Sequence, residues 1–171
     1  MASYSIRKMS LDEVNRVAIR WAADEGWNPG IQDGQAFYST DPGGFYIGEL
    51  NNEPIACISV VKYPENFAFL GFYIVKPQYR GKGYGLKIWN HALSGLDNYN
   101  IGLDGVVESQ DDYIKSGFKL AYRNIRFQGC SQTSKERSKN IKVFKTSYYN
   151  NLIRYDTELF PVPRTIFLKE W

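Results

Sequence analysis

Histidine and cysteine are scarce in this chain of 171 residues, with one of the former and two of the latter. Cys57 and Cys130 lie far apart and belong to no C-x-x-C pair. Neither a transition-metal ligand set nor a disulfide framework can be assembled from them, so two free thiols and no metal are expected. Charge of one sign is scarce as well: the net charge is only +3. That is too little for the clustered basic face that nucleic acid or an anionic membrane attracts. The lysines of residues 135–145, with the tyrosines that follow at 148 and 149, read as a solvated run rather than a nucleic-acid site. Long apolar runs are missing too. No window approaches the ~20 apolar residues of a membrane span, and the N-terminal residues lack the apolar core of a signal peptide. The expectation is a soluble, cytoplasmic protein with neither nucleic acid nor membrane as a partner.

Aromatic residues, in contrast, make up 16% of the chain and include 13 tyrosines, within a hydrophobic fraction of 43%. One domain with a short appendage fits this length, and disorder over most of it does not fit this composition. Tyr4 and Ile6 alternate with polar neighbours as in a half-buried strand. Ser10-Leu11-Asp12-Glu13 is a capping box, and Leu11, Val14, Ala18, Trp21 and Ala22 follow at helical spacing. A turn at Trp27-Asn28-Pro29-Gly30 leads to a short helix over residues 31–37. Strands are expected over 45–50, 55–63 and 67–75, the last two reading as buried on both faces. After glycines at 81, 83 and 85 comes a helix with Leu86, Trp89, Leu93 and Leu96 inward. A strand over 101–107, a helix over 110–116 and a long strand over 118–127 complete the order β-α-α-β-β-β-α-β-α-β. This is an α/β (α+β) arrangement, an antiparallel meander feeding a βαβ unit. Residues 1–130 are read as the main domain. Residues 131–140 read as a linker, followed by a strand at 141–144 and helices over 148–159 and 164–171.

The stretch Val75-Lys76-Pro77-Gln78-Tyr79-Arg80-Gly81-Lys82-Gly83-Tyr84-Gly85-Leu86 carries the clearest chemistry. Alternate glycines let a backbone approach a ligand closely, and the helix that follows offers unpaired amides and the positive end of its dipole to a pyrophosphate. A P-loop would place Ser or Thr after Gly81-Lys82, where this chain has Gly83. A dinucleotide fingerprint would follow the first strand, not the fourth.

This loop resembles motif A of the GNAT superfamily, [RQ]-x-x-G-x-[GA], in two registers: Gln78-x-x-Gly81-x-Gly83 and Arg80-x-x-Gly83-x-Gly85. Tyr113-Ile114-Lys115-Ser116-Gly117-Phe118 is similar to the superfamily's Y-x-x-x-G-F. The resemblance implies a mixed sheet of about six to seven strands with helices on both faces. It implies acetyl-CoA as co-substrate, its pyrophosphate held by Gly81, Lys82, Gly83, Tyr84, Gly85 and Leu86. Its pantetheine would run along the backbones of Tyr73 and Val75. Tyr113 would protonate the departing thiolate, a role that suits a phenol of pKa ~10. Trp27, Asn28 and Asp33, in the region between the first two helices, would shape the acceptor site, where a carboxylate beside an aromatic ring could hold an ammonium group.

The chain departs from the pattern in two places. Val106-Val107-Glu108 stands where many relatives carry Asn, and the strand over 67–75 has no Glu or His to act as a base. Asp104 and Glu108 are the base candidates that remain. Other segments, among them Glu25-Gly26-Trp27-Asn28-Pro29-Gly30 and Gly102-Leu103-Asp104-Gly105-Val106, resemble a subgroup whose members often carry a second, degenerate GNAT-like domain. Residues 131–171 would then be a linker and the opening elements of such a domain. Their apolar residues need cover, from the first domain or in a homodimer. The implied function is transfer of an acetyl group from acetyl-CoA to a primary amine on a small molecule or peptide, by direct attack within a ternary complex. The alternative is a module that binds acyl-CoA without turning it over, as a sensor or scaffold.

Overall fold

The structure is a computed structural model and describes residues 3–130 and 139–171. Most of the residues read as a linker, 131–138, lie outside those described. The chain divides into two compact units: Met1–Asp104 with Asn151–Trp171, and Gly105–Asn150.

The first unit is built on a sheet of five strands in the order β1-β2-β3-β4-β5. These are β1 (Tyr4–Lys8), β2 (Phe45–Leu50), β3 (Glu53–Tyr63), β4 (Phe67–Val75) and β5 (Asn100–Leu103). The first four pair antiparallel, and β5 pairs parallel to β4. Two tight hairpins make the meander. Asn51 and Asn52 take φ 51° and 67° between β2 and β3, and Glu65 and Asn66 take 59° and 52° between β3 and β4. Positive φ at both central residues matches the turn to the twist of the strands it joins.

Helix α1 (Leu11–Glu13) continues through a π-helical stretch (Val14–Ile19) into α2 (Arg20–Asp24). The capping box forms as expected: the Ser10 hydroxyl accepts from Glu13 N–H, and the Glu13 carboxylate accepts from Ser10 N–H at 2.9 Å. Helix α3 (Asp33–Thr40) packs closely on the π-helical stretch. A Cβ on Gly34 would fall 2.2 Å from the Asn15 side-chain oxygen, so any larger residue would require Asn15 to move aside. Val14, Ala18, Ala22, Phe45, Ile47, Cys57, Val61, Tyr63, Phe67 and Ile74 share one core on this face. Helix α4 (Tyr84–Leu93) lies on the other face, where Tyr46 meets His91 and Tyr73 meets Trp89. Its inward residues are Ile88, Trp89 and Ala92, while Leu86, expected inside, is exposed.

Helix α6 (Tyr149–Leu159) leads into α7 (Thr165–Glu170). Val162 and Phe167 are buried, and Phe160 packs on Tyr63 and Phe67 of the sheet. Arg164 grips Asp156 with two nitrogens, at 2.9 and 2.5 Å, and its guanidinium lies over the rings of Phe160 and Phe167.

The α/β arrangement is as expected, with one correction: among the described residues the sheet has five strands, slightly fewer than the six to seven expected. Residues 118–127 and 141–144, both read as strands, pair with no ladder among the described residues. Most of their apolar side chains face solvent, Ile125 at 74% and Phe127 at 88% exposure. Alternation in a sequence prepares one face for burial, but a strand also needs a neighbour for its backbone groups. Residues 104–107 likewise leave the sheet, because β5 ends at Leu103.

Candidate active site

The C-terminal end of β4 turns through a 3-10 segment (Pro77–Tyr79) into α4. Gly81 and Gly83 take φ +72° and +81°, and a Cβ on either would meet nothing within 4 Å. Glycine is needed there for the left-handed backbone, not for want of room. Gly85 serves another purpose: a Cβ there would lie 2.6 Å from the Tyr73 hydroxyl and 3.1 Å from Val75 Cγ2. It lets the first turn of α4 settle onto β4. Lys87 N–H bonds to Gly83 O at 3.2 Å, so the amides of Tyr84, Gly85 and Leu86 precede the first intrahelical acceptor. Gly83, the N-cap residue, has no side chain to cap them.

The loop is braced from below. Arg80 Nε donates to Val75 O at 2.7 Å, and the same guanidinium pairs with Glu25 at the end of α2. Glu53 accepts from Lys76 Nζ and from the Tyr79 hydroxyl, each at 3.0 Å. Lys82 Nζ donates to Gln78 O and lies 5.6 Å from the centre of the Tyr79 ring. Tyr4 reaches the loop from β1, with its hydroxyl donating to Tyr84 O at 3.3 Å and its ring 4.9 Å from that of Tyr84. Burial, and then the neighbouring Tyr73 and Tyr84, push the Tyr4 phenol up to about 12. Tyr4 is a site neighbour that sequence reasoning missed, since only the β1–β2 pairing brings it here.

β4 carries a second feature that its apolar run conceals. The β3–β4 register passes from Cys57↔Ile74 to Ser59↔Gly71, so that Phe72 and Tyr73 stand opposite one residue, Ile58. Phe72 takes φ +47°, rare for a residue with a Cβ. This bulge sends the Phe72 ring toward Phe37 of α3, at 6.1 Å, and the Tyr73 ring toward Trp89 of α4, at 5.1 Å. The Cys57 thiol donates to Phe72 O at 3.2 Å, and burial raises its pKa strongly. A thiol so held is no nucleophile.

On the helix side, Trp27 is half-buried against the core and Asn28 turns the chain with φ 51°. Asp33 accepts from Gly30 N–H at 2.8 Å and thereby caps its own loop. Helix α3 accordingly begins at Asp33, two residues later than expected, leaving Ile31 in solvent. Asp104 is exposed just past β5 and is the last residue of its stretch of the first unit.

Tyr113 and Glu108 belong to the second unit. Glu108 is exposed in a 3-10 turn (Val107–Ser109), and Tyr113 is half-buried on α5 (Gln110–Lys115). Burial first, and the nearby Asp112 second, raise the Tyr113 phenol above its ordinary value, against a hydrogen bond with Ser109. The Y-x-x-x-G-F spacing has a local reason. Gly117 at φ +92° stops the helix and returns Phe118 N–H to Tyr113 O at 3.0 Å. Among the described residues, no group of three His, Cys, Asp or Glu side chains could hold a metal ion, and no helix is long and apolar enough to cross a membrane.

A holothin acyltransferase from Pseudoalteromonas sp. (strain SANK 73390) is 34% identical over 169 residues, 99% of this chain and 57% of that protein. An uncharacterised protein of Caenorhabditis elegans is 28% identical over 128 residues, 69% of this chain and 41% of that protein. The chain thus spans about half the length of these relatives. Among solved structures, a proposed acetyltransferase from Pyrococcus horikoshii superposes with a TM-score of 0.78 at 20% identity, covering 98% of this chain and 61% of that one. A predicted acetyltransferase from Clostridium acetobutylicum, solved with acetyl-CoA, gives 0.55 at 18% identity, over 74% of this chain and 96% of that one. The model of the Acetyltransferase (GNAT) family matches residues 12–111, more than half of the chain, and the chain belongs to that family.

Proposed function

We propose that this protein transfers an acetyl group from acetyl-CoA to a primary amine. The observation that carries the reading is the pair of left-handed glycines, Gly81 and Gly83, leading into a helix α4 whose first turn has no side-chain cap. Amides at a helix N-terminus, with the dipole behind them, suit a pyrophosphate. The residues present fit coenzyme A: Gly81, Lys82, Gly83, Tyr84, Gly85 and Leu86 would hold its pyrophosphate. The backbones of Tyr73 and Val75, beside the bulge, would guide the pantetheine arm. A solved fold neighbour contains acetyl-CoA, which supports the same choice of co-substrate.

In the reaction the amine nitrogen attacks the thioester carbonyl, a carbon–nitrogen bond forms and the carbon–sulfur bond breaks. The proton lost by the amine passes to a base, for which Asp104 and Glu108 are the candidates. The leaving thiolate takes a proton from Tyr113, whose raised pKa keeps it protonated at neutral pH. The buried thiol of Cys57 offers no covalent route, and direct attack by the amine needs none.

The test is release of coenzyme A thiol from acetyl-CoA in the presence of an amine panel, with holothin included because a relative acts on it. Amine-dependent thiol release, with the acetylated amine found by mass spectrometry, is the expected result. Binding of coenzyme A without turnover on any amine would reduce the protein to a binding module.

A further inference from the structure

The aromatic residues of the first unit form a connected path from the bulge on β4 to the C-terminal helix. The Phe72 ring lies 6.1 Å from Phe37, edge to face. The Phe37 ring lies 4.8 Å from Phe167 of α7. Phe167 is buried, while Phe37 and Phe72 are only half-buried and keep part of their surface open. If acetyl-CoA runs along Tyr73 and Val75, its thioester comes to the bulge, and Phe72 and Phe37 are the rings beside it. This step rests on the function proposed above.

The carboxylates at the two ends of α3 are already engaged. Asp33 accepts from Gly30 N–H at 2.8 Å. Asp41 accepts from Gly43 N–H at 3.1 Å and from Lys62 N–H at 3.0 Å. On α6, Asp156 is matched to Arg164. These bonds fix where the carboxylates point without removing their charge, and the half-buried rings of Phe37 and Phe72 are the apolar surface beside them.

We infer that α7 is a specificity element of the acceptor site: Phe167 is a positioning residue that sets Phe37 against Phe72, and the acceptor is an amine carrying a flat apolar group. Aromatic side chains held edge to face give a planar partner a surface with its own preferred orientation. Arg164, fixed by Asp156 and lying 4.9 Å from the centre of the Phe167 ring, keeps α7 in place behind Phe37.

The experiment compares tryptamine and 2-phenylethylamine with spermidine as acceptors, for wild type and Phe167→Leu, with folding verified by thermal unfolding. The wild type should favour the two aryl amines. Phe167→Leu should raise KM for them about three- to tenfold, the size of one ring contact, while leaving the acetyl-CoA KM unchanged. Should Phe167→Leu fail to fold, Phe37→Leu carries the same expectation. A wild-type preference for spermidine, or a variant that shifts both substrates equally or neither, would overturn the inference alone. Turnover of no amine at all would remove the acyl-transfer reading and this inference with it.

Discussion

Tyr113 is the residue whose chemistry can be isolated most cleanly, because phenylalanine keeps its ring and removes only the proton. If the phenol protonates the departing thiolate, Tyr113→Phe should lower kcat about 10²- to 10⁴-fold with acetyl-CoA affinity little changed. A thiol of pKa ~8.5 leaves unaided at alkaline pH, so the deficit should shrink as pH rises from 6 to 9. The Tyr113 phenol is raised, not lowered, so the wild type retains its acid across that whole range. Equal rates for the two folded proteins would take Tyr113 out of the mechanism. Its neighbours in the motif were readable because their causes are local: Gly117 must leave the helix, and Phe118 N–H must close it. Phe72 was not readable. Its left-handed backbone follows from the mismatch between β3 and β4, which no property of a lone phenylalanine announces.

At the scale of elements, the parts set by their own residues matched the expectation, and so did the meander of β1 to β4, while the misses lie where a further distant partner was required. Ser10 and Glu13 mark a helix start in sequence and in structure, and Asn51-Asn52 marks a hairpin. The alternation of residues 118–127 marks a strand in sequence alone, because the ladder that would complete it involves other chain segments. Tyr4 became part of the loop's surroundings only through pairing of Tyr4 with Leu50, again a non-local event. The capping element also carries a pH dependence. Hydrogen bonds from Arg7 first, and then from Ser10 N–H, hold the Glu13 carboxyl down at about 2, against 4.5 ordinarily. A lowered folded pKa contributes stability that is fully present above the unfolded value and is lost as pH falls through the folded one. Thermal melts should therefore decline between pH 4.5 and about 2, and Glu13→Gln should flatten that decline. Gln retains the acceptor of the capping box but gives up the charge that Arg7 pairs with, so at pH 7 it should cost about 1 kcal/mol, the same stability that wild type loses in acid. An unchanged acid limb in Glu13→Gln would show that other groups control it.

On the scale of the whole molecule, one sheet separates two groups of residues. Its α4 face supplies the glycine loop and the first-turn amides, and its other face supplies the helices and rings grouped around the bulge. β4 serves both, since Phe72 and Tyr73, adjacent in sequence, point to opposite faces. The C-terminal helices join the second face through Phe160, Val162 and Phe167, which bury against it. Everything proposed for this protein depends on the loop at Gly81 and Gly83 holding coenzyme A. Calorimetric titration of coenzyme A into wild type and Gly83→Val tests that most directly. A β-branched residue at φ +81° must strain or leave that conformation, at a cost of order 1–3 kcal/mol. A Cβ there touches nothing, so the sheet beneath should stay folded. If the loop holds coenzyme A, one molecule should bind per wild-type chain, with a loss of at least about tenfold in affinity for the folded variant. Equal affinity in the two proteins would contradict that.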